Sequence, residues 1–270
     1  MDGHEDQQRW CEAVVPGAAT CVLPGGYSLW TWAPMDAAAP LPVLWVLDGA
    51  SLFASMARAV AMLARRGDAT GVRPMIVAGI DHDPADRARR DAEYSFGPCR
   101  DPAGFAAPDR VGGGEAMIDR IAGPMLAAVA ERCPVDATQQ MLFGHSLAGS
   151  FALHAMAARP SLFRVVGAVS PSIWWDRDAV FERVANMADR GQALFLGAGG
   201  REQPVSIQND ADRRRDARGI VREVRAMAEL VATRLGEDRV ATSVAADEDH
   251  ASAPLTLMPG FLRFASRTLA

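Results

Sequence analysis

The hydrophobic positions of this chain fall into short continuous runs that alternate with longer segments of helical periodicity. Runs such as PVLWVLDG at 42–49 and PMIVAGID at 74–81 are almost entirely apolar, which is typical of parallel strands buried on both faces. Later runs of this kind are QQMLFGH, RVVGAVS, ALFLGAGG and RVATSVAA, each preceded by a segment of helical periodicity. This alternation predicts an α/β fold, in which a mostly parallel sheet carries helices on both faces.

Two segments depart from the alternation. The strand-like runs ATCVLP and YSLWTWA are separated by Gly25 and Gly26, which predicts an antiparallel hairpin at the N-terminal end of the sheet. Residues 82–113 combine prolines and glycines with clusters of charge. A loop of this length is usually functional, so we predict that it caps the carboxyl ends of the strands. The chain is then one α/β domain, residues 1–270, with this insertion.

Composition and charge narrow the class of protein. Hydrophobic residues make up 49% and charged residues 23%, which indicates a globular protein and excludes disorder. The formal net charge is -5 and the densest basic cluster, RRRDAR at 213–218, is diluted by acids. It is interpreted as the solvated start of an amphipathic helix, so no nucleic-acid partner is expected.

No segment predicts a membrane or secretory protein. Apolar runs stay well below the ~20 residues that a membrane span requires, and the acidic N-terminus lacks the features of a signal peptide. The four cysteines have neither C-x-x-C spacing nor companion histidines, which favours reduced thiols over a disulfide framework or zinc. We therefore expect a cytoplasmic protein, and the sequence leaves its oligomeric state open. The cysteines are Cys11, Cys21, Cys99 and Cys133.

Polar residues with catalytic chemistry stand directly after the predicted strands. Ser146 follows MLFGH, Glu202 follows LFLGAGG and His250 follows VAADED. Ligands of open α/β sheets bind beyond the carboxyl ends of the strands, and the order serine, acid, histidine is that of the α/β-hydrolase fold. The surrounding GHSLA departs from the G-x-S-x-G elbow because Ala148 replaces the last glycine. The sequence predicts that Ser146 is a nucleophile at a strand-to-helix turn.

A serine nucleophile requires a base, an acid that orients the base, and donors for the oxyanion. His250 is the predicted base because it follows the final strand, whereas His4, His82, His145 and His154 are assigned to a tail, a loop, a structural position and a helix. Glu202 stands at the position of the acid, with Asp247, Glu248, Asp249 and Asp212 as open alternatives. The expected oxyanion donors are the backbone N–H groups of Leu147 and Ala50.

The motifs together resemble one branch of the α/β hydrolases, which contains esterase D and the enterobactin-type ferric siderophore esterases. The matching stretches lie between about residues 42 and 264. The most specific of them is SPSIWW, since siderophore esterases carry a small-Pro-Ser-x-Trp-Trp run after the sixth strand. Their elbow is usually G-H-S-x-G-G, from which Ala148 departs, and some members are described as working without a strong acid. The stretches are VLWVLDGASLF, RRDAEYSF, GGGEAMIDRI, TQQMLFGHSLAGSFALHAM, SLFRVVGAVSPSIWW, LFLGAGGREQ and DEDHASAPLTLMPGFLRF.

The resemblance implies a substrate and a binding surface. It suggests that the protein hydrolyses ester bonds in an imported ferric siderophore, an enterobactin-like trilactone, through an acyl-enzyme. No metal or organic cofactor is expected, because iron arrives with the substrate. Arg90 matches the family's arginine, and with Tyr94, Trp174 and Trp175 it is predicted to bind substrate. The alternatives are a water-facing Arg90 and tryptophans that pack in the core.

Three other functions fit the same residues. The chain is also compatible with a general carboxylesterase or S-acyl thioesterase of the esterase D type. An acyltransferase would use the same acyl-enzyme, and a non-catalytic binding protein would use only the hydrolase scaffold. In each case the partner is a small molecule that binds at the strand ends.

Overall fold

An eight-stranded sheet runs through the computed structural model, which describes residues 14–35, 39–83, 86–104 and 110–269. Its strands lie side by side in the order β1-β2-β4-β3-β5-β6-β7-β8. β2 is antiparallel to both β1 and β4, and all other neighbours are parallel. The predicted mixed sheet with an N-terminal hairpin is confirmed. The strands are β1 Ala19–Leu23, β2 Tyr27–Trp32, β3 Leu41–Leu47, β4 Ile76–Asp81, β5 Val135–His145, β6 Val165–Val169, β7 Ala193–Gly199 and β8 Val240–Ala245.

Helices connect the parallel strands and cover both faces of the sheet. A π-helical turn at Ile121–Met125 joins α4 to α5; it contains Pro124, which lacks the N–H that a regular α-helical ladder requires. None of the described helices is long and apolar enough to cross a bilayer. The helices are α1 Gly49–Ala64, α2 Gly67–Thr70, α3 Arg87–Glu93, α4 Gly114–Arg120, α5 Leu126–Ala130, α6 Leu147–Ala158, α7 Arg177–Ala185, α8 Asp210–Arg218, α9 Ile220–Leu235 and α10 Ala253–Thr268.

The apolar strands separate two hydrophobic layers. On one face α1 and α10 pack together and bury Phe53 and Phe261 against the sheet. On the other face α6 and α9 bury Phe151 and Met227. Each such side chain contributes about 1.5–3 kcal/mol through burial. The two layers enclose the central strands. The carboxyl ends of these strands therefore provide fixed positions for the side chains that follow them.

The segment 82–113 is more regular than its composition predicts. It contains α3, which begins after Asp86, whose side chain accepts a hydrogen bond from the Arg89 N–H at 3.0 Å. The expectation of a continuous loop is therefore wrong over Arg87–Glu93, because an acidic N-cap stabilises a helix there. Residues 84–85 and 105–109 lie outside the described part of the chain. A capping role for the whole segment remains a prediction.

The basic cluster 213–218 is not the start of the long amphipathic helix. It belongs to α8, which ends at Gly219 with φ 57°, and α9 begins directly afterwards. Because glycine adopts this left-handed conformation without strain, the chain changes direction between the two helices. The turn separates the basic cluster from the amphipathic helix that follows it.

A buried carboxylate ties α3 to the sheet. Glu93 accepts hydrogen bonds from Tyr27 Oη at 2.8 Å, His82 Nε2 at 2.8 Å and Arg89 Nε at 3.0 Å. Burial raises the pKa of Glu93, but these hydrogen bonds outweigh it and lower the pKa to about 2. The ionised carboxylate is therefore the form that stabilises this junction.

Replacing Glu93 with glutamine should lower the free energy of unfolding at neutral pH by about 2 kcal/mol, because a charged acceptor of several hydrogen bonds is lost. A lowered folded-state pKa gives stability that is complete above the ordinary pKa and is lost as pH falls through about 2. The difference between wild type and Glu93→Gln should therefore shrink from pH 5 downwards in urea titrations. The exposed Glu229→Gln is the matched control, and a constant difference down to pH 2 would contradict the assignment.

Candidate active site

Ser146 stands at a sharp turn between β5 and α6. Its backbone has φ 58° and ψ −123°, a strained conformation for a residue with a side chain, as in the nucleophile elbow of hydrolases. The close approach in this turn is made by Gly144, whose added Cβ would collide with the carbonyl of Ala148. Ala148 itself is fully buried, so the methyl group that departs from the usual elbow is accommodated by packing.

His250 links Ser146 to Glu202. Its Nε2 lies 3.0 Å from Ser146 Oγ, and its Nδ1 lies 2.6 Å from Glu202 Oε2. The sequence leaves several carboxylates as candidates for the acid, and Glu202 is the one that lies next to His250 Nδ1 in the structure. The side chains of Asp249, Glu248 and Asp212 instead accept hydrogen bonds from Ser252, Thr256 and Arg215, respectively.

Glu202 is held by three donors. It lies in the turn Gly200–Glu202 after β7 and is 4% exposed. In addition to His250, Ser170 Oγ donates to its Oε1 at 2.5 Å and the Gly199 N–H at 2.7 Å. Burial raises its pKa, but the hydrogen bonds from His250 and Ser170 outweigh burial and lower it. Glu202 is therefore a fixed, ionised acceptor for the Nδ1 proton of His250.

His145 lies beside His250, but it is His250 whose ring nitrogen faces the Ser146 hydroxyl. The two imidazole rings are 4.6 Å apart. Burial, followed by the proximity of His250, lowers the pKa of His145 to about 4. His145 is therefore neutral at physiological pH and adds no charge next to His250.

A cavity of about 630 Å³ opens over Ser146 and His250. Arginines from two elements line it, and the sequence analysis did not assign any of them to the site. Arg201 and Arg214 have no carboxylate within 4.0 Å in the described part of the chain. The lining arginines are Arg201, Arg214, Arg215 and Arg218. An anionic ligand would find guanidinium groups close to the serine, of which Arg201 already interacts electrostatically with Glu248 and Asp249.

Comparison with known families identifies the family of this chain. A family model described as "Putative esterase" matches residues 20–248. The chain belongs to this esterase family. Its strand order and its solved neighbours also show that it has the predicted α/β-hydrolase fold.

Individual known proteins resemble the chain at moderate identity. Ferri-bacillibactin esterase BesA of Bacillus subtilis is 30% identical over 149 residues, covering 53% of this chain and 51% of that protein. Siderophore enterobactin esterase of Emericella nidulans is 32% identical over 191 residues, covering 64% and 63%. The chain thus matches about half to under two thirds of these relatives' lengths. The siderophore hydrolase EstB from Aspergillus nidulans has 27% identity and a TM-score of 0.73 over 94% of this chain and 95% of its own.

The two predicted oxyanion donors have different surroundings. Leu147 begins α6, where the first N–H groups of a helix have no intrahelical acceptor. The N–H of Ala50 instead donates to Asp81 Oδ2 at 2.8 Å, and Ala50 lies in another cavity, of about 490 Å³, whose lining does not include Ser146. The Asp81 carboxylate thus accepts the Ala50 N–H in this structure, and a role of Ala50 as an oxyanion donor remains a prediction.

The SPSIWW run, on which the predicted resemblance depends most, contributes alternate residues to the site. Ser170 donates to Glu202, and Ser172 Oγ lies 3.3 Å from Ser146 Oγ. Trp174 lines the cavity over Ser146. Trp175 does not, because it is 4% exposed and packs in the core with its Nε1 donating to the Gly97 carbonyl. The prediction that Trp175 binds substrate is therefore not supported, and the serines of the run were missed.

Arg90 and Tyr94 are also outside the cavity over Ser146. The Arg90 guanidinium binds both carboxylate oxygens of Asp48, at 2.6 and 2.7 Å. Tyr94 is 1% exposed and packs against Phe151 and His82. The structure therefore places neither side chain in the cavity over Ser146, because Arg90 is paired with Asp48 and Tyr94 is enclosed by the core. That they contact substrate remains a prediction. Asp48 has φ 54°, and Arg90 fixes this strained turn before α1.

Proposed function

We propose that the protein is a serine esterase that forms an acyl-enzyme on Ser146. His250 is the general base, and Glu202 orients it. The observation that carries the proposal is the continuous chain of contacts, 3.0 Å from Ser146 Oγ to His250 Nε2 and 2.6 Å from His250 Nδ1 to Glu202. A serine hydroxyl becomes nucleophilic when a base within this distance accepts its proton.

The reaction follows from these positions. Ser146 Oγ attacks the ester carbonyl while its proton moves to His250 Nε2, and the imidazolium is stabilised by Glu202. The developing oxyanion accepts a hydrogen bond from the Leu147 N–H. His250 then protonates the leaving alcohol, and the acyl-enzyme forms. A water molecule, deprotonated by His250, attacks the acyl group and releases the acid and free Ser146.

The substrate proposed is an ester of an anionic, iron-binding siderophore. Arg201 and Arg214 support an anionic substrate, since neither has a carboxylate within 4.0 Å in the described part of the chain. Trp174 supplies an aromatic surface in the same cavity. The names of both curated relatives, a ferri-bacillibactin esterase and an enterobactin esterase, support the same class. Iron is part of the substrate, and the chemistry at the ester requires no resident cofactor.

A cytoplasmic location is part of the proposal. Its support is that Cys21, Cys99 and Cys133 are unpaired in the described part of the chain, as is usual in a reducing compartment. Cys11 lies outside the described residues.

The substrate class can be tested with two esters and two variants. Wild type should hydrolyse a ferric tricatecholate triester with a much higher kcat/KM than nitrophenyl butyrate. Replacing Arg201 and Arg214 together with alanine should raise KM for the triester by about tenfold or more, because charge-assisted hydrogen bonds are lost. Arg213→Ala is the matched control, since Arg213 lies on the same helix but does not line the cavity.

Two outcomes would overturn the siderophore proposal. One is a higher kcat/KM for nitrophenyl butyrate than for the triester, which would favour a general carboxylesterase. The other is an equal response of KM to the double variant and to Arg213→Ala. Transfer of the acyl group to an added alcohol in preference to water would identify an acyltransferase instead.

A further inference from the structure

A second serine hydroxyl lies next to the nucleophile. Ser172 belongs to the segment that follows β6 and is 2% exposed. Its Oγ is 3.3 Å from Ser146 Oγ, and it lines the cavity over Ser146. The proposed reaction uses a nucleophile, a base, an acid and an oxyanion donor, and it gives the Ser172 hydroxyl no role.

The backbone around Ser172 directs this hydroxyl toward Ser146. Ser172 immediately precedes the short 3₁₀ turn Ile173–Trp175, a position from which a serine hydroxyl usually caps the helical N–H groups. The Ser172 side chain forms no such cap. Its N–H donates to the Ser146 carbonyl at 2.9 Å, and its carbonyl accepts from the Trp175 N–H at 3.0 Å. The backbone of Ser172 is therefore tied on both sides, and its hydroxyl is free to contact the nucleophile.

The segment that carries Ser172 is packed closely against the start of α6. A Cβ added to Gly149 would lie only 3.2 Å from Pro171 Cα and from the Val169 carbonyl oxygen. The same Val169 carbonyl accepts a hydrogen bond from the Ser146 N–H at 3.0 Å. Backbone contacts therefore fix the distance between the two serine residues.

The hydrogen bonds of the site make Ser172 the donor in this pair. Glu202 accepts the proton of His250 Nδ1, so His250 Nε2 carries no proton and accepts the single proton of the Ser146 hydroxyl. Ser146 Oγ can then only accept from Ser172. Their separation of 3.3 Å is longer than the about 2.7–2.8 Å of a typical hydroxyl pair. The contact is therefore weak while Ser146 is neutral, and it strengthens when Oγ carries negative charge.

A donor at Ser146 Oγ affects the two halves of ester hydrolysis differently. The resting hydroxyl already accepts this hydrogen bond, so acylation gains little from it. In the acyl-enzyme Oγ is an ester oxygen and a poor acceptor. During deacylation, water attacks the acyl carbon and gives a proton to His250. The bond between the acyl carbon and Oγ then breaks, its electron pair moves to Oγ, and His250 returns the proton to Oγ.

We propose that Ser172 is a catalytic residue for deacylation, in which its hydroxyl stabilises Ser146 Oγ as the leaving group of the acyl-enzyme. The inference rests on the proposed esterase function and adds a residue to its second half. Ser172 keeps its own proton throughout, because His250 supplies the proton that Oγ takes up. A preorganised donor at an atom on which negative charge develops lowers the barrier of that step.

The test uses dinitrophenyl butyrate, an activated ester whose good leaving group makes acylation fast and deacylation rate-limiting. With this substrate kcat reports deacylation and kcat/KM reports acylation. Ser172→Ala should lower kcat about tenfold or more, because a hydrogen bond to a charged oxygen is lost, and should keep kcat/KM within about threefold. Mass spectrometry of the quenched reaction should detect butyryl-enzyme that persists longer in the variant than in wild type.

Ser150→Ala is the matched control, because Ser150 is a buried serine of α6 whose hydroxyl has no hydrogen-bond partner in the described part of the chain. It should change neither kinetic constant, and melting temperatures verify that both variants are folded. An unchanged kcat in Ser172→Ala would overturn the inference. An equal fall of kcat and kcat/KM would also overturn it, since a residue that only supports the site affects both steps. Failure of the esterase proposal is distinct, because wild type would then release dinitrophenol no faster than Ser146→Ala.

Discussion

Replacing Ser146 with alanine should lower kcat for ester hydrolysis by about 10⁴- to 10⁶-fold, since the group that forms the acyl-enzyme is removed. The variant should fold normally, because the hydrogen-bonding contacts of the Ser146 hydroxyl are with His250 and Ser172 in the site itself. Initial rates with nitrophenyl butyrate measure the loss, and labelling by a fluorophosphonate probe measures the nucleophile directly. Wild type should be labelled and Ser146→Ala should not.

Ser150 provides a matched control one turn further along α6. It is buried, and its hydroxyl has no hydrogen-bond partner in the described part of the chain. Ser150→Ala should therefore retain both turnover and labelling. A wild-type protein that the probe does not label, or a Ser146→Ala variant with wild-type turnover, would favour a binding protein on a hydrolase scaffold.

The fold and the position of the serine–histidine pair were predictable because both depend on local patterns. Continuous apolar runs identify buried parallel strands, and the residue after a strand is carried to the same edge of the sheet as its neighbours. Ser146 and His250 follow β5 and β8 within a few residues. The proximity of Ser146 and His250 could therefore be predicted from the positions of the strands alone.

Position along the chain alone does not identify the acid that orients His250. Glu202 and Glu248 both lie near a strand end, but only Glu202 lies in a turn where Ser170 Oγ and the Gly199 N–H converge on its carboxylate. Such convergence depends on the register between β6 and β7, in which Val169 lies opposite Gly197. Hydrophobic periodicity predicts that these strands exist, but it does not predict the register in which they pair.

The surroundings of the predicted binding residues could not be derived from the sequence for a related reason. The partner of Arg90 is Asp48, 42 positions away in sequence, and no local pattern reveals that the guanidinium is already neutralised. Arg214 is exposed, as expected for a solvated helix face, and it also lines the cavity over Ser146. No local pattern reveals that this face lies beside the ends of the strands.

Replacing Glu202 with glutamine should lower kcat by about 10⁴-fold, the loss expected when the acceptor that orients a catalytic imidazole is removed. The amide has nearly the shape of the carboxylate but no charge, so it cannot stabilise the imidazolium that forms when His250 accepts the Ser146 proton. Since the pKa of Glu202 is lowered in the folded protein, the wild-type carboxylate remains ionised throughout the range in which activity is measured. The loss should therefore be present at neutral and alkaline pH alike.

Glu248→Gln distinguishes an orienting carboxylate from general negative charge near His250. Glu248 lies two residues from His250, and its side chain accepts a hydrogen bond from Thr256 at 2.8 Å. If nearby charge alone assisted catalysis, the two glutamine variants would lose similar activity. We expect Glu248→Gln to retain kcat within about twofold, because an exposed charge is strongly screened by solvent. Equal losses in the two variants, measured with nitrophenyl butyrate, would contradict the role of Glu202 and leave a serine–histidine pair that works without a fixed acid.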